Sequence, residues 1–315
     1  MDFESRVLPE LRPVLALLPQ MKLPEDLQKM RNAPIPEYEK SPHVITTTRM
    51  IAGPAGEIMV KVYEPANRPD TPLPGLLYIH GGGYVLGHPD QDDINCEITV
   101  LEVNCVVVSV DYRLAPEHPY PAAIEDCYAA LKWMADSAAE LNIDKKRIAV
   151  GGGSAGGGLT AAVTLMARDK GGPAICFQMP LYPMIDNRNT SPSSREITSP
   201  KAVWNRDHNI AAWKMYLGEH ASGEVSPYAA PIHADNFEGL PPTYTCVGQL
   251  DPFRDETIEY VSRLVEAGVD VEFHLYPGCF HGFEVFAPEA EVSKRAGMEY
   301  MNALKRALHP APASE

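Results

Sequence analysis

Three residues of this chain can do chemistry together if the fold gathers them: Ser154, Asp251 and His281. Ser154 is the centre of Gly152-Gly153-Ser154-Ala155-Gly156, a G-x-S-x-G pattern. An apolar run, Ile148-Ala149-Val150, precedes it and an Ala-rich apolar stretch, Leu159 to Met166, follows. A strand that turns sharply into a helix at a serine holds the hydroxyl in a strained position above the sheet edge. Glycines two residues to either side keep other side chains clear of it. The first amide of the following helix, that of Ala155, points to where an oxyanion would develop in an acyl transfer. A serine hydroxyl is a poor nucleophile until a base takes its proton. That base needs a pKa near neutrality and a partner that fixes its tautomer. His281 as base and Asp251 as partner complete such a set.

A fourth feature points to the same reaction. Gly75 to Ile79 reads as a core strand and runs into His80-Gly81-Gly82-Gly83-Tyr84. Three consecutive glycines cost backbone entropy, so the stretch is either a simple tight turn or a loop whose bare amides face a ligand oxyanion. The glycines around Ser154 carry a rival reading as well. Gly151, Gly153 and Gly156 fit G-x-G-x-x-G, the dinucleotide fingerprint, also between strand and helix. That fingerprint normally opens the first βαβ unit, yet at least three strand-like runs come earlier. The acidic residue expected about twenty positions on is missing, since Asp169 lies in the polar helix end Ala167-Arg168-Asp169-Lys170.

The elements that must position these residues alternate. Val44 to Ile51 and Glu57 to Tyr63 show β periodicity around the turn Gly53-Pro54-Ala55-Gly56, predicting an antiparallel hairpin. Strands are further expected at Gly75–Ile79, Cys105–Val110, Ile148–Val150, Ile175–Leu181, Thr243–Val247 and Val271–Tyr276. Helices are expected at 92–103, 122–140, 159–166, 256–267 and 289–308, with Gly268 closing the fourth. This alternation predicts an α/β fold, a mostly parallel sheet covered on both faces. Ligands bind such sheets beyond the carboxyl ends of the strands. His80, Ser154, Asp251 and His281 each follow a strand end, so four independent candidates land on one rim.

Two regions break the alternation. Residues 1–40 form two weakly amphipathic helical pieces interrupted by Pro9, Pro13, Pro19, Pro24, Pro34 and Pro36, and read as an arm or lid. Residues 183–226 begin as a Ser/Thr/Pro/Asn-rich loop and continue as a Trp-bearing helix, about 207–217. An interruption of that length reads as a functional insertion.

Composition sets the outer bounds. At 315 residues the chain accommodates one large α/β domain. A formal net charge of −15 argues against nucleic acid or an anionic membrane surface as the main partner. Cys96, Cys105, Cys127, Cys176, Cys246 and Cys279 form no C-x-x-C pair or zinc spacing and read as free thiols, mostly buried. His43, His88, His118, His208, His220, His233, His274 and His309 share no metal-ligand spacing, so neither a metal nor a cofactor is expected. No run reaches transmembrane length, and Val14 to Leu18 is too short for a signal core, which predicts a cytoplasmic protein without stable membrane insertion.

Taken together, His80-Gly-Gly-Gly83, the run Asp111-Tyr-Arg-Leu-Ala-Pro-Glu-His-Pro-Tyr-Pro-Ala-Ala123, the elbow, Asp251-Pro-Phe-Arg-Asp-Glu256 and His281-Gly-Phe283 resemble the hormone-sensitive-lipase family of carboxylesterases, over about residues 45–308. The chain order Ser, Asp, His is the α/β-hydrolase order. The resemblance implies an α/β-hydrolase fold with a helical cap, Ser154 as nucleophile, His281 as general base then acid, and Asp251 orienting the imidazole. It also implies an oxyanion hole from the amides of Gly82, Gly83 and Ala155. The implied cap is residues 1–45 together with 185–220, leaving 46–184 and 221–315 as the catalytic domain. The implied activity is hydrolysis of uncharged, short- to medium-chain esters through an acyl-enzyme, with homodimerisation through the last edge strand.

The same machinery would serve an amidase or deacetylase. A non-catalytic binding protein on this fold, like the plant gibberellin receptor, lacks the histidine that His281 supplies here. Family elbows commonly read Gly-Asp-Ser-Ala-Gly-Gly-Asn or carry Thr before the serine, whereas here Gly153 precedes Ser154 and Gly158 stands at the Asn position. No catalytic step depends on a side chain at either place. Tyr84 is expected at the substrate rim. Trp204, Trp213 and Tyr216 either line the pocket or dock the cap. His80 reads as an anchor of the glycine loop rather than a second base, and Asp255 as a helix-start carboxylate rather than the triad acid. Asp111, Arg113 and Glu125 read as a structural ion-pair network.

Overall fold

The computed structural model describes residues 2–35 and 37–311, so Met1, Pro36 and residues 312–315 lie outside the described residues. The chain opens with three short helices, α1 (Phe3–Arg6), α2 (Arg12–Leu17) and α3 (Leu27–Arg31), not two. Proline accounts for the fragmentation. Pro9 opens a 3₁₀ turn and Pro13 the helix behind it, first-turn positions where the missing N–H costs nothing.

The hairpin follows as β1 (Val44–Gly53) and β2 (Gly56–Pro65), paired antiparallel through the expected turn. Then come β3 (Leu73–Ile79), α4 (Asp93–Val103), β4 (Val106–Val110), α5 (Ala122–Asp136), β5 (Ile143–Gly153), α6 (Ala155–Asp169) and β6 (Phe177–Leu181). The insertion carries α7 (Pro192–Glu196) and α8 (Arg206–Leu217). The core resumes with β7 (Thr243–Leu250), α9 (Arg254–Glu266), β8 (Val271–Phe280), α10 (Phe283–Phe286) and α11 (Glu291–Leu308).

The eight strands form one sheet in the order β1-β2-β4-β3-β5-β6-β7-β8. β2 meets β4 antiparallel, and every pair from β4 across to β8 is parallel. Both faces are covered, and strand parity divides the core between them. Val106, Val108 and Val110 of β4 pack into the cluster that includes α5 and α6, whereas Val107 packs with α4 and α11 on the other face. β3 and β5 repeat the division, with Leu77, Ile79, Ile148 and Val150 on the first side and Leu76 and Ala149 on the second.

Several strands run further than periodicity indicates, β5 and β8 by the most. β5 starts at Ile143, because its Lys145-Lys146-Arg147 stretch is polar although extended. β8 continues through Pro277 to Phe280, with a register shift between Gly248 and Leu250 of its neighbour. It lies at the sheet edge, and an edge strand with a bulge tolerates a residue that cannot donate.

Candidate active site

The sheet carries its candidates to one rim. β5 ends at Gly153, and Ser154 sits at the turn into α6 with φ +61° and ψ −120°. A non-glycine residue rarely holds that conformation, and here the surroundings fix it from both sides. Ser154 N–H donates to the Leu181 carbonyl (2.9 Å), and the Ser154 carbonyl accepts from Gly158 and Met184 (2.9 and 3.0 Å). β7 ends at Leu250 and delivers Asp251, and β8 ends at Phe280 and delivers His281.

The three side chains form one hydrogen-bonded line. His281 Nδ1 lies 2.7 Å from Asp251 Oδ2, and His281 Nε2 lies 2.9 Å from Ser154 Oγ. A carboxylate can only accept, so Nδ1 carries the proton and Nε2 faces the serine with a lone pair. The second oxygen of Asp251 accepts from the Phe253 amide at 2.8 Å. Asp251 is fully buried, and His281 retains only a sliver of surface. Phe253 and Tyr182 stand nearly perpendicular to the imidazole, with centroids 5.0 and 5.1 Å away, and Trp204 lies at 6.5 Å.

The glycine loop lies beside this line. Gly82 and Gly83 have φ +112° and +61°, a region that favours glycine. Their amides donate to no backbone acceptor among the described residues. Ala155 opens α6, so its amide has no intrahelical acceptor either. His80 is buried, and its Nδ1–H donates to the Gly81 carbonyl at 2.8 Å while the ring stacks on Tyr112 (4.1 Å). Burial pushes its pKa down to about 4, with the bond to Gly81 opposing and His88 adding to the fall. It is therefore a neutral anchor.

Asp255 is in the first turn of α9, where its carboxylate accepts from the Ser193 amide (2.7 Å) and pairs with Arg254. Arg113 forks onto Asp126 (2.8 Å) rather than joining a network with Glu125, and Asp111 faces His88 at 3.8 Å. Asp126 lies one residue further along α5 and turns inward, which sequence separation alone does not reveal.

The four candidate pocket aromatics divide. Tyr84 and Tyr216 stack at 3.9 Å with Trp213 against both, and all three are buried. Trp204 instead lies over Gly83, where its ring would run into any Cβ at that position. Its indole N–H donates to Asn209 Oδ1 (3.3 Å), and the Asn209 amide donates to Asn189 Oδ1 (2.6 Å).

Sequence reasoning missed the residues that fasten the covering layer. Arg31 of α3 donates to the carbonyls of Val85 (2.8 Å) and Ala115 (2.7 Å) and pairs with Glu117 (2.8 Å). His208 Nε2–H donates to the Met21 carbonyl at 2.7 Å, tying α8 to the N-terminal arm. Glu256, fully buried, accepts from the amides of Ile185 and Asp186 (2.9 and 3.2 Å), and burial together with the nearby Asp186 charge holds its pKa well above the ordinary carboxylate value. It missed Tyr182 as well. That residue stands one place past β6, so the strand-end rule that marked the others could have found it.

A doubly covered, mostly parallel sheet with a strained serine between strand and helix, and acid and histidine at later strand ends, defines an α/β-hydrolase. Residues 76–285 match the model of a family described as alpha/beta hydrolase fold, and the chain belongs to that family, in its hormone-sensitive-lipase-like group. It is 39% identical over 288 residues to the esterase LipI of Mycobacterium tuberculosis, covering 90% of this chain and 88% of that protein. It is 37% identical over 313 residues to the carboxylesterase NlhH of the same organism, covering 96% and 97%. Among solved structures it resembles a bacterial heroin esterase with a TM-score of 0.91 and 38% identity, over 98% of this chain and 100% of the other. The protein is an enzyme, a carboxylic ester hydrolase. Among the described residues no helix is long and apolar enough to cross a membrane.

Proposed function

We propose that the protein hydrolyses short- to medium-chain carboxylic esters of small molecules through an acyl-enzyme on Ser154. The observation that carries this reading is the line Ser154 Oγ, His281 Nε2, His281 Nδ1, Asp251 Oδ2, with bonds of 2.9 and 2.7 Å. Ser154 Oγ attacks the ester carbonyl as its proton passes to His281 Nε2. The carbonyl oxygen gains the charge and is received by the amides of Gly82, Gly83 and Ala155, which are fixed before the substrate arrives. The intermediate collapses, and the alkoxide leaves with the proton held on Nε2. A water then gives its proton to the same nitrogen, attacks the acyl carbon and releases the acid. Asp251 holds the productive tautomer and offsets the imidazolium charge in each half-reaction.

In this reading residues 1–45 and 185–220 form the cap over a catalytic domain of 46–184 and 221–315. Trp204, pressed on Gly83, is the cap residue that limits acyl length. Tyr84, Trp213 and Tyr216 serve chiefly to dock α8 onto the glycine loop. A cytoplasmic location, and a homodimer through the outer edge of β8, complete the proposal.

The test is hydrolysis of p-nitrophenyl esters from acetate to palmitate by wild type and Ser154→Ala. A maximum at short or medium chains, lost by ~10⁴-fold or more in the variant, is expected. Activity that survives the substitution would remove Ser154 as nucleophile. A wild type inert on every ester but active on acyl anilides would favour the amidase reading.

A further inference from the structure

The elbow departs from its family at Gly153 and Gly158, and at both places a tyrosine hydroxyl from elsewhere occupies the room. At Gly158 it is Tyr84, whose Oη donates to the Met184 carbonyl at 2.5 Å. At Gly153 it is Tyr182, whose Oη lies 2.9 Å from where a Cβ would stand. A real Cβ contact that short is not tolerated, so any side chain at 153 would displace the tyrosine.

Tyr182 is constrained in four ways. Its φ is +33°, outside the regions that L side chains adopt readily. Its amide donates to the Cys246 carbonyl at 2.8 Å, fixing the backbone to β7. Its hydroxyl donates to Glu284 Oε1 at 2.5 Å. Its ring meets the imidazole of His281 at an interplanar angle of 78° and a centroid distance of 5.1 Å.

Glu284 is the unusual partner. It lies three residues beyond His281 in the short helix α10, and its Oε2 is buried with no hydrogen-bond partner among the described residues. A buried carboxyl with an orphan oxygen is costly and calls for a reason. Burial raises its pKa, with the bond from Tyr182 opposing. No step of the proposed mechanism uses it.

We propose that Tyr182, anchored by Glu284, is a positioning residue that holds the imidazole of His281 in line with Ser154, and that position 153 is glycine to leave room for it. The ring closes one side of the imidazole while Phe253 closes another, so His281 cannot swing away from the serine between the two half-reactions. The Tyr182–Glu284 bond fixes the ring, and the anchor stands in α10, which begins two residues after the imidazole it steadies. This inference rests on the triad reading above.

The experiment measures kcat, KM and Tm for Tyr182→Phe, Glu284→Leu, Glu284→Gln and the double variant Tyr182→Phe/Glu284→Leu, on p-nitrophenyl butyrate. A 1 Å misplacement of a reacting group can cost ~10²-fold, so partial release of the ring should lower kcat about tenfold in Tyr182→Phe and in Glu284→Leu. KM should stay within about twofold, since no ground-state contact with substrate is removed. The double variant should be no slower than either single one, because both break the same bond. Glu284→Gln should retain most of kcat, since its amide oxygen still accepts from Tyr182. Gly153→Ala should lower kcat more in wild type than in Tyr182→Phe, where the conflicting hydroxyl is gone.

Unchanged kcat in Tyr182→Phe, or losses that multiply in the double variant, would overturn the proposal, as would effects confined to Tm. Should Glu284→Leu fail to fold, the near-isosteric pair Tyr182→Phe and Glu284→Gln still decides. Ser154→Ala separates the two readings. If it is inactive while Tyr182→Phe is unimpaired, only this inference fails; if it is active, the triad reading fails first.

Discussion

The rim of the sheet and the layer that covers it are held by different kinds of bond. On the rim, Ser154, Asp251 and His281 stand one residue past β5, β7 and β8, so the sheet backbone fixes the point from which each side chain starts. The covering layer is fastened by side chains reaching across the sequence. Arg31 reaches to Val85, His208 to Met21, Asp255 to Ser193 and Glu256 to Ile185. A rim built into strand ends stays in place whenever the sheet folds. A cover laced by individual side chains can be loosened at one position without unfolding what lies beneath. The reacting groups thus start from the sheet itself, while the layer over them hangs on single side-chain contacts.

The largest effects should come from breaking the rim. Asp251→Asn keeps the shape but lets the amide donate to His281 Nδ1, which puts the imidazole proton on Nε2, facing the serine. A loss of ~10⁴-fold in kcat is expected with Tm little changed. A loss below about tenfold would mean that another acid, Asp255 first, supports the imidazole. Gly83→Ala comes next. Its φ of +61° disfavours a side chain, and the Cβ would run into Trp204. Displacing the proposed oxyanion amide of Gly83 should cost ~10²–10³ in kcat. The companion Gly83→Ala/Trp204→Ala tells the two causes apart. Recovery would assign the loss to the clash, and no recovery to backbone strain.

This difference also explains what could be read from the chain alone. The succession of strands along the chain and the three rim residues follow from apolar runs that lead into Ser, Asp or His, a pattern local to each strand. The mostly parallel sheet followed from the alternation of strand and helix along the chain, and β4 agrees with it, with Val107 on one buried face and Val106, Val108 and Val110 on the other. The cover left no such trace. Arg31 and Val85 are 54 residues apart, and His208 and Met21 are 187 apart, with no periodicity linking them. Glu284 was invisible for the same reason. Its meaning comes from Tyr182, which lies 102 residues away, and from an empty position at Gly153.

Loosening the cover should give intermediate effects. Arg31→Ala removes the bonds that hold Val85, two residues past Gly83, and Ala115, and with them one support of the glycine loop. Charge-assisted bonds to buried carbonyls contribute about 1.5–3 kcal/mol each, and the half-exposed Glu117 adds little, so loss of the two carbonyl bonds should destabilise by about 3 kcal/mol or more. KM should rise and kcat fall by less than about tenfold, with larger losses on longer acyl chains. A fall in kcat as large as that of Asp251→Asn would show that cover and rim are one mechanical unit, and would break the distinction drawn above.

The smallest effect on turnover near pH 8 belongs to His80, which lies under the loop and sharpens the comparison through stability. Its native pKa is depressed to about 4, chiefly by burial, against an ordinary value of 6.5. Between those two pH values the unfolded chain binds a proton that the folded protein refuses. Stability from this residue is therefore fully present above pH 6.5 and is lost as pH falls toward 4. That depression corresponds to about 3 kcal/mol across the window. His80→Asn keeps a donor for the Gly81 carbonyl and does not titrate. Urea denaturation of both proteins from pH 7.5 to 4 should show the wild type losing about 3 kcal/mol more than the variant. Parallel curves would mean that His80 is not kept neutral by its burial, and that the glycine loop is anchored by Tyr112 and the backbone alone.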